Sequence, residues 1–208
     1  MKTFISLVGV IVVVTLLVFW GKSAKTIEPA FEVGVLHPLD HVKGNASSSV
    51  IIIEYSDFQC PACRSYYPIV REITTEYADK IAFVYRHFPL INIHPNAEFA
   101  ARAAEAAHKQ GKFWEMHDLL FEKQNEWARV ANISPVFESY ATLLGLSIEQ
   151  FKVDFVSDEV KDLVRAERVH AVKAGLNSTP TFFINGEKIQ NPNSVIEFKK
   201  IIDEALLK

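Results

Sequence analysis

The chain has 208 residues, 49% of them apolar and 12% aromatic. That is enough to bury the core of one domain plus an elaboration, and too apolar for a disordered chain. Its 22 Lys and Arg against 25 Asp and Glu leave a net charge of -3, which gives no basic face of the kind nucleic-acid binding requires.

The stretch from Thr3 to Trp20, TFISLVGVIVVVTLLVFW, carries no charge. As a helix it spans about 27 Å, close to the hydrocarbon thickness of a bilayer. It ends in bulky Phe19 and Trp20 and lacks the small-residue site of a cleaved signal. The expectation is one N-terminal transmembrane anchor over residues 1–20, with a cleaved signal as the competing reading. No cysteine follows the run, so a lipoprotein anchor there is excluded. Residues 21–49 read as a polar tether and lead-in.

Val50 to Tyr55, VIIIEY, is a β-branched run of the kind found in strands covered on both faces, with Glu54 as the anomaly in it. A helix follows, with Pro61 suited to its first turn and Pro68 expected to kink it. Lys80 to Leu90 is a second strand, so the order is βαβ. For about 90 residues the pattern is then helical: an alanine-rich helix stopped by Gly111, FWEMHDLLFEKQ, a helix starting at Ser134-Pro135, one opened by the capping box Ser147–Gln150, and a stripe of Val160, Leu163, Val164, Ala171 and Val172. Thr179 to Ile184 is a strand, Asn185-Gly186 a two-residue hairpin turn, and Ser194–Glu197 a capping box for a closing helix. The plan is α/β: residues 50–90 and 177–208 form one domain, interrupted by an inserted α-helical domain over 91–176.

The only two cysteines, Cys60 and Cys63, sit at the strand-to-helix corner in DFQCPACRSYYP. Structural zinc wants four ligands. The only His pair at ligand spacing, His37 and His41, lies in the lead-in, so metal is a weak reading. A structural disulfide across so short a loop stabilises little. A C-x-x-C beside a βαβ unit fits a redox centre better. At a helix N-terminus, free backbone N–H groups and the dipole favour the Cys60 thiolate. Cys60 is therefore expected to attack and to remain exposed, and Cys63, one turn further in, to resolve. In thioredoxin-like proteins a cis proline precedes the hairpin strand and lies against the dithiol. Pro180 is placed for that role, with the Thr179 backbone turned outward to pair with an extended substrate.

Taken in order, DHVKGN, VIIIEYSDFQCPAC, YRHFPL, HPNAEFAARAAEAA and STPTFFINGE resemble the DsbA-like thiol–disulfide oxidoreductases, a thioredoxin fold with an inserted helical domain. The resemblance covers roughly residues 38–206. It implies Cys60 as nucleophile, Cys63 as resolving thiol, Pro180 as the cis proline and Glu54 as a buried acid shuttling protons to or from Cys63. Thr179, Phe58, Pro61 and Ala62 are the implied substrate contacts. Of Phe58, Tyr66 and Phe182, at least two are expected in the core, and His87 and His94 are expected to be structural. The chain departs from the family in its Pro61-Ala62 dipeptide, which lacks the histidine of strongly oxidising members, and in Tyr67, where the best-known member has a second acid.

The resemblance implies an extracytoplasmic enzyme that donates its disulfide to cysteine-containing exported proteins and needs no soluble cofactor. Reoxidation falls to a quinone-linked membrane oxidase, DsbB-like or VKOR-like. The chain is expected to act as a monomer. A reductase or isomerase, and a metal-binding or chaperone-like module, are the alternatives.

Overall fold

The computed structural model describes residues 31–208. The expected anchor over Thr3–Trp20 and the first part of the tether lie outside these residues. Among the described residues no helix is long and apolar enough to cross a membrane.

In chain order the elements are β1 (His41–Gly44), β2 (Ile51–Ser56), α1 (Pro61–Glu76), β3 (Ala82–His87), α2 (Ala97–His108), α3 (Phe113–Glu122), α4 (Gln124–Trp127), α5 (Ser134–Leu143), α6 (Ile148–Val156), α7 (Asp158–Lys173), β4 (Thr181–Ile184), β5 (Glu187–Lys188) and α8 (Val195–Leu206). They form one five-stranded sheet in the order β1-β3-β2-β4-β5. β2 and β3 are parallel, as a βαβ crossover requires, and the other three pairings are antiparallel. β1 falls inside the segment read as lead-in. Its four residues hold no apolar alternation, and it becomes a strand by pairing with β3. α2 to α7 all lie between β3 and β4, which makes this a thioredoxin-like α/β fold with a helical insertion.

Side chains alternate across the sheet. Ile52, Phe83, Tyr85, Phe182 and Ile184 face the larger core, shared with α1, α2, α3 and α8. Ile53, Tyr55, Val84 and Phe183 face a smaller core closed by Ala171, Leu176 and the lead-in. Both faces are covered, as the near-continuous apolar run of β2 indicates. Glu54 shares the larger-core face, two residues from Ile52. α1 continues through Pro68. The capping serines act as read: Ser147 Oγ accepts from Gln150 N and Ser194 Oγ from Glu197 N. Asn185 and Gly186 take positive φ values of 48° and 85°, the backbone of the expected tight turn. On α7, Val160, Val164 and Ala171 are buried, but Val172 is exposed and does not belong to the core stripe.

Two buried charge clusters tie the parts together. The Arg86 guanidinium on β3 donates to both Asp40 carboxylate oxygens at 2.9 and 2.8 Å, and to the Glu32 and Val35 carbonyls, pinning the lead-in. Glu105 on α2 stands between His41 Nε2 at 2.7 Å and His87 Nε2 at 2.8 Å, joining the insertion to β1 and β3. Burial alone pushes Glu105 up, but the two imidazoles outweigh it and hold the carboxyl well below the usual range.

Candidate active site

The corner between β2 and α1 is built by polar side chains. Asp57 Oδ1 accepts from Gln59 N at 2.7 Å; its Oδ2 takes Leu90 N at 2.8 Å and His94 Nδ1 at 2.7 Å. Gln59 accepts from Asn96 N at 2.6 Å and donates to the Ala128 carbonyl at 2.6 Å. Gln124 of α4 donates to the carbonyls of Phe58 and Cys60 at 2.7 and 3.0 Å. The backbone entering α1 is therefore fixed from three directions.

Cys60 is the N-cap residue of α1, in extended conformation, with Pro61 following in the first turn. The two cysteines are not joined in a disulfide. Both are buried: Cys60 keeps 7% exposure and Cys63 none, so Cys63 lies deeper, but Cys60 is not the exposed sulfur expected, because the Thr179–Pro180 segment and the polar corner cover it. The Cys63 thiol is the main reason the Cys60 pKa falls from the ordinary 9.0 to about 5. Burial opposes it, and Thr179 and the backbone N–H groups of Cys63 and Ala62 add to the fall. Burial and the Cys60 sulfur push Cys63 well above the ordinary range. One sulfur is thus set as thiolate and the other as thiol.

The Thr179–Pro180 peptide is cis, and Cys60 Sγ lies 3.5 Å from the Thr179 carbonyl oxygen. Pro180 is buried, with its own carbonyl accepting from Asn191 Nδ2 at 2.8 Å. Glu54, 3% exposed, sits in register with Tyr85 on one side and Phe182 on the other. Burial raises its pKa to about 7, against a smaller lowering by the Ser56 hydroxyl and with a further rise from the charge on Cys60.

Pro61 and Ala62 are exposed beside Cys60, and Thr179 borders it. Phe58 is different: it is 1% exposed, stacked on Tyr85 at 4.7 Å and packed on Phe121. It belongs to the core and offers no surface to a substrate, which corrects its placing among the contacts. Phe182 is fully buried and Tyr66 half-buried. His87 and His94 make the structural contacts expected of them. His37 accepts from Leu39 N while His41 binds Glu105; among the described residues no group of three or more His, Cys, Asp or Glu is arranged to hold a metal ion. Sequence reasoning missed Asp57, Gln59, Asn96 and Gln124. The available signal was the polar pair Asp57 and Gln59 beside the cysteine in a corner otherwise buried.

Residues 37–204 match the family profile described as Thioredoxin. The chain belongs to the thioredoxin family. Among solved structures, the fold of this thioredoxin-family chain is similar to that of a thioredoxin-like oxidoreductase of Silicibacter pomeroyi (26% identity, TM-score 0.69, covering 83% of this chain and 95% of that one). It is also similar to α-DsbA1 of Wolbachia pipientis (22%, TM-score 0.74, 83% and 93%) and to oxidised BdbD of Bacillus subtilis (23%, TM-score 0.72, 81% and 94%). The arrangement of the thioredoxin core and its insertion is therefore DsbA-like. Curated relatives include the Na(+)/H(+) antiporters NhaA 3 of Salinispora tropica, 38% identical over 75% of this chain, and NhaA 1 of Salinispora arenicola, 42% identical over 72%. The chain matches only 23% and 22% of those two proteins' lengths.

Proposed function

We propose that this chain is a thiol:disulfide oxidoreductase that introduces disulfide bonds into extracytoplasmic proteins. The observation carrying this reading is the geometry of the dithiol: Cys60 at the N-cap of α1, Cys63 fully buried one turn further in, and the Thr179 carbonyl 3.5 Å from Cys60 Sγ. In the oxidised enzyme a substrate thiolate attacks Cys60 Sγ, the Cys60–Cys63 bond breaks and Cys63 leaves as the thiolate. Glu54 supplies its proton. A second substrate thiolate attacks the mixed disulfide and displaces Cys60. Because the displaced Cys60 thiolate is stable, the reduced enzyme is favoured and its disulfide is a strong donor.

The chain works on cysteine-containing exported proteins, anchored through residues 3–20, with residues 50–90 and 177–208 as redox domain and 91–176 as insertion. A quinone-linked membrane oxidase restores the disulfide. The relatives named antiporters carry a domain of this kind in chains a little over three times as long as this one, which supports action beside a membrane; antiport itself is not part of the proposal. The Pro61-Ala62 dipeptide favours the second reading, an extracytoplasmic reductase.

Equilibration with glutathione and reoxidation of a reduced cysteine-containing protein test the proposal. A potential above that of thioredoxin, about -270 mV, with stoichiometric substrate oxidation is expected. A potential at or below that value transfers the chain to the reductase reading, and failure to exchange with any thiol removes both.

A further inference from the structure

The turn that follows β3 shows two isoleucines to solvent at the edge of the dithiol corner. Ile93 is 69% exposed, and Ile91 is exposed beside it. The turn is braced in that position. Leu90 N and His94 Nδ1 both bond Asp57 Oδ2, at 2.8 and 2.7 Å, so its two ends are tied to one buried carboxyl. The Ile93 and His94 amides also return to the Leu90 carbonyl, each at 2.9 Å. Asp57 takes Gln59 N with its other carboxyl oxygen and accepts Cys60 N on its carbonyl. One residue thus holds the nucleophile and the exposed isoleucines in a single frame.

The end of α7 faces that turn. Val172, the residue that does not join the core stripe, is 54% exposed, and Arg168 stands one turn before it. Between the two walls lies a groove of about 290 Å³, floored by Phe88 and Leu90 and reached by Asn177 at its edge. Arg168 is half-buried in its wall. Among the described residues no acidic side chain lines the groove, and Arg168 forms no ion pair. Asn177 stands two residues before Thr179, whose carbonyl is 3.5 Å from Cys60 Sγ. Two extended residues span about 7 Å. A polypeptide whose cysteine meets Cys60 beside Thr179 therefore passes the groove within a few residues of that cysteine.

We propose that this groove is a substrate subsite that selects an aliphatic side chain and a neighbouring carboxylate side chain close to the reacting cysteine of an exported polypeptide. The inference rests on the thiol–disulfide reading of the dithiol and adds a substrate class to it. An aliphatic side chain laid between the walls leaves water together with part of Ile91, Ile93 and Val172. The neighbouring carboxylate pairs with the Arg168 guanidinium, a planar donor suited to bidentate contact. Because Asp57 braces the turn before anything binds, little ordering of the enzyme is left for the substrate to drive. A bilayer is the other surface that is both apolar and anionic; a concave groove leading to the Thr179 carbonyl fits an extended chain better than a flat sheet of lipid.

The test is the rate at which reduced cysteine peptides reduce the oxidised full chain, quenched with acid and read by thiol alkylation. The peptides carry Leu-Asp, Leu-Lys, Ser-Asp or Ser-Lys beside the cysteine. Each rate is corrected for the peptide's thiolate fraction and divided by that of dithiothreitol on the same variant. Leu-Asp is expected to react about tenfold faster than Ser-Lys. Ile93→Ser and Val172→Ser should each remove most of the preference for Leu. Arg168→Glu should turn the charge preference toward Leu-Lys, and Arg168→Lys should keep it toward Leu-Asp. A merely structural Arg168 predicts no such reversal. Ile196→Ser is the control: Ile196 is an exposed isoleucine on α8, outside the groove, and its variant should keep the wild-type preferences. Equal corrected rates for all the peptides, an unreversed charge preference in Arg168→Glu, or a loss in Ile196→Ser as large as in Ile93→Ser overturns the subsite and leaves the proposed function standing. Binding to phosphatidylcholine–phosphatidylglycerol vesicles that Ile93→Ser abolishes, with no peptide preference, overturns it in favour of a membrane contact. An oxidised chain that exchanges with neither peptide nor dithiothreitol overturns both the subsite and the proposed function.

Discussion

The thiolate at Cys60 fixes how the redox potential must vary with pH. Its pKa drops from 9.0 to about 5 in the folded chain. A depressed pKa stabilises the reduced fold above the ordinary thiol range, and that contribution is lost as the pH falls through about 5. At pH 7 roughly two pKa units of the shift are realised, worth about 2.7 kcal/mol for the reduced form. For a two-electron couple this raises the potential by about 60 mV over a dithiol with ordinary thiols. Cys63 is a thiol at neutral pH with or without its upward shift, so it adds nothing there. Only one proton then accompanies two electrons, and between about pH 5.5 and 8 the potential should fall by about 30 mV per pH unit, where a dithiol with both sulfurs protonated shows about 59 mV. Equilibration with glutathione at several pH values measures this slope. Ultraviolet thiolate absorbance locates the Cys60 titration independently. Cys63→Ala removes the strongest stabilising contact and should move that titration upward. A slope of about 59 mV per unit through neutrality, or a thiolate that forms only above pH 8, refutes the reasoning.

Cys63→Ser should accumulate mixed disulfides through Cys60 on non-reducing gels, and Cys60→Ser should not; equal trapping reverses the assignment. Glu54 has a raised pKa, so its contribution to stability is intact below about pH 4.5 and is lost as the pH rises through about 7. Glu54→Gln should therefore match the wild type in denaturant near pH 4 and exceed it by about 3 kcal/mol near pH 8, while exchanging more slowly; equal stability at both pH values refutes the burial argument. Asp40→Ala leaves the Arg86 guanidinium buried and unpaired, at an expected cost of about 3–5 kcal/mol in a denaturant titration; a loss under 1 kcal/mol would show that the pair does not pin the lead-in. Gln124→Ala strips a donor from the Phe58 and Cys60 carbonyls and should cost about 1–3 kcal/mol.

What was legible in the sequence was local. β2 announced itself by Val50–Tyr55, α2 by its alanines and the stop at Gly111, and α6 and α8 by serine caps whose hydrogen bonds form between residues three apart. The dithiol was legible because a C-x-x-C at a helix start has few chemical uses. The contacts that join distant segments were not legible. Asp40 and Arg86 are separated by 46 residues and His41 and Glu105 by 64, and each reads alone as an ordinary surface charge. β1 escaped because a four-residue strand with one apolar side chain has no period to detect. Phe58 was placed toward the substrate by its nearness to Cys60 in sequence, but the turn at Asp57 directs its ring into the core against Tyr85.

The same long-range contacts give the helical insertion a direct part in the chemistry. Every polar group holding the entry of α1 from outside the redox core comes from the segment between β3 and α5. Gln124 binds the carbonyls on both sides of Gln59, Asn96 binds the Gln59 side chain, and His94 and the Leu90 amide share one Asp57 oxygen. These bonds leave the first N–H groups of α1 unobstructed, and those of Ala62 and Cys63 are the ones that lower the Cys60 pKa. A thiolate gains from such donors only if they stay aimed at it, because a backbone free to turn away surrenders part of the stabilisation to water. The insertion also seals Phe58, Phe121 and His117 over the sheet, so Cys63 and Glu54 lose their solvent together. Loosening the insertion should therefore bring the two cysteine pKa values together before the thioredoxin core itself unfolds.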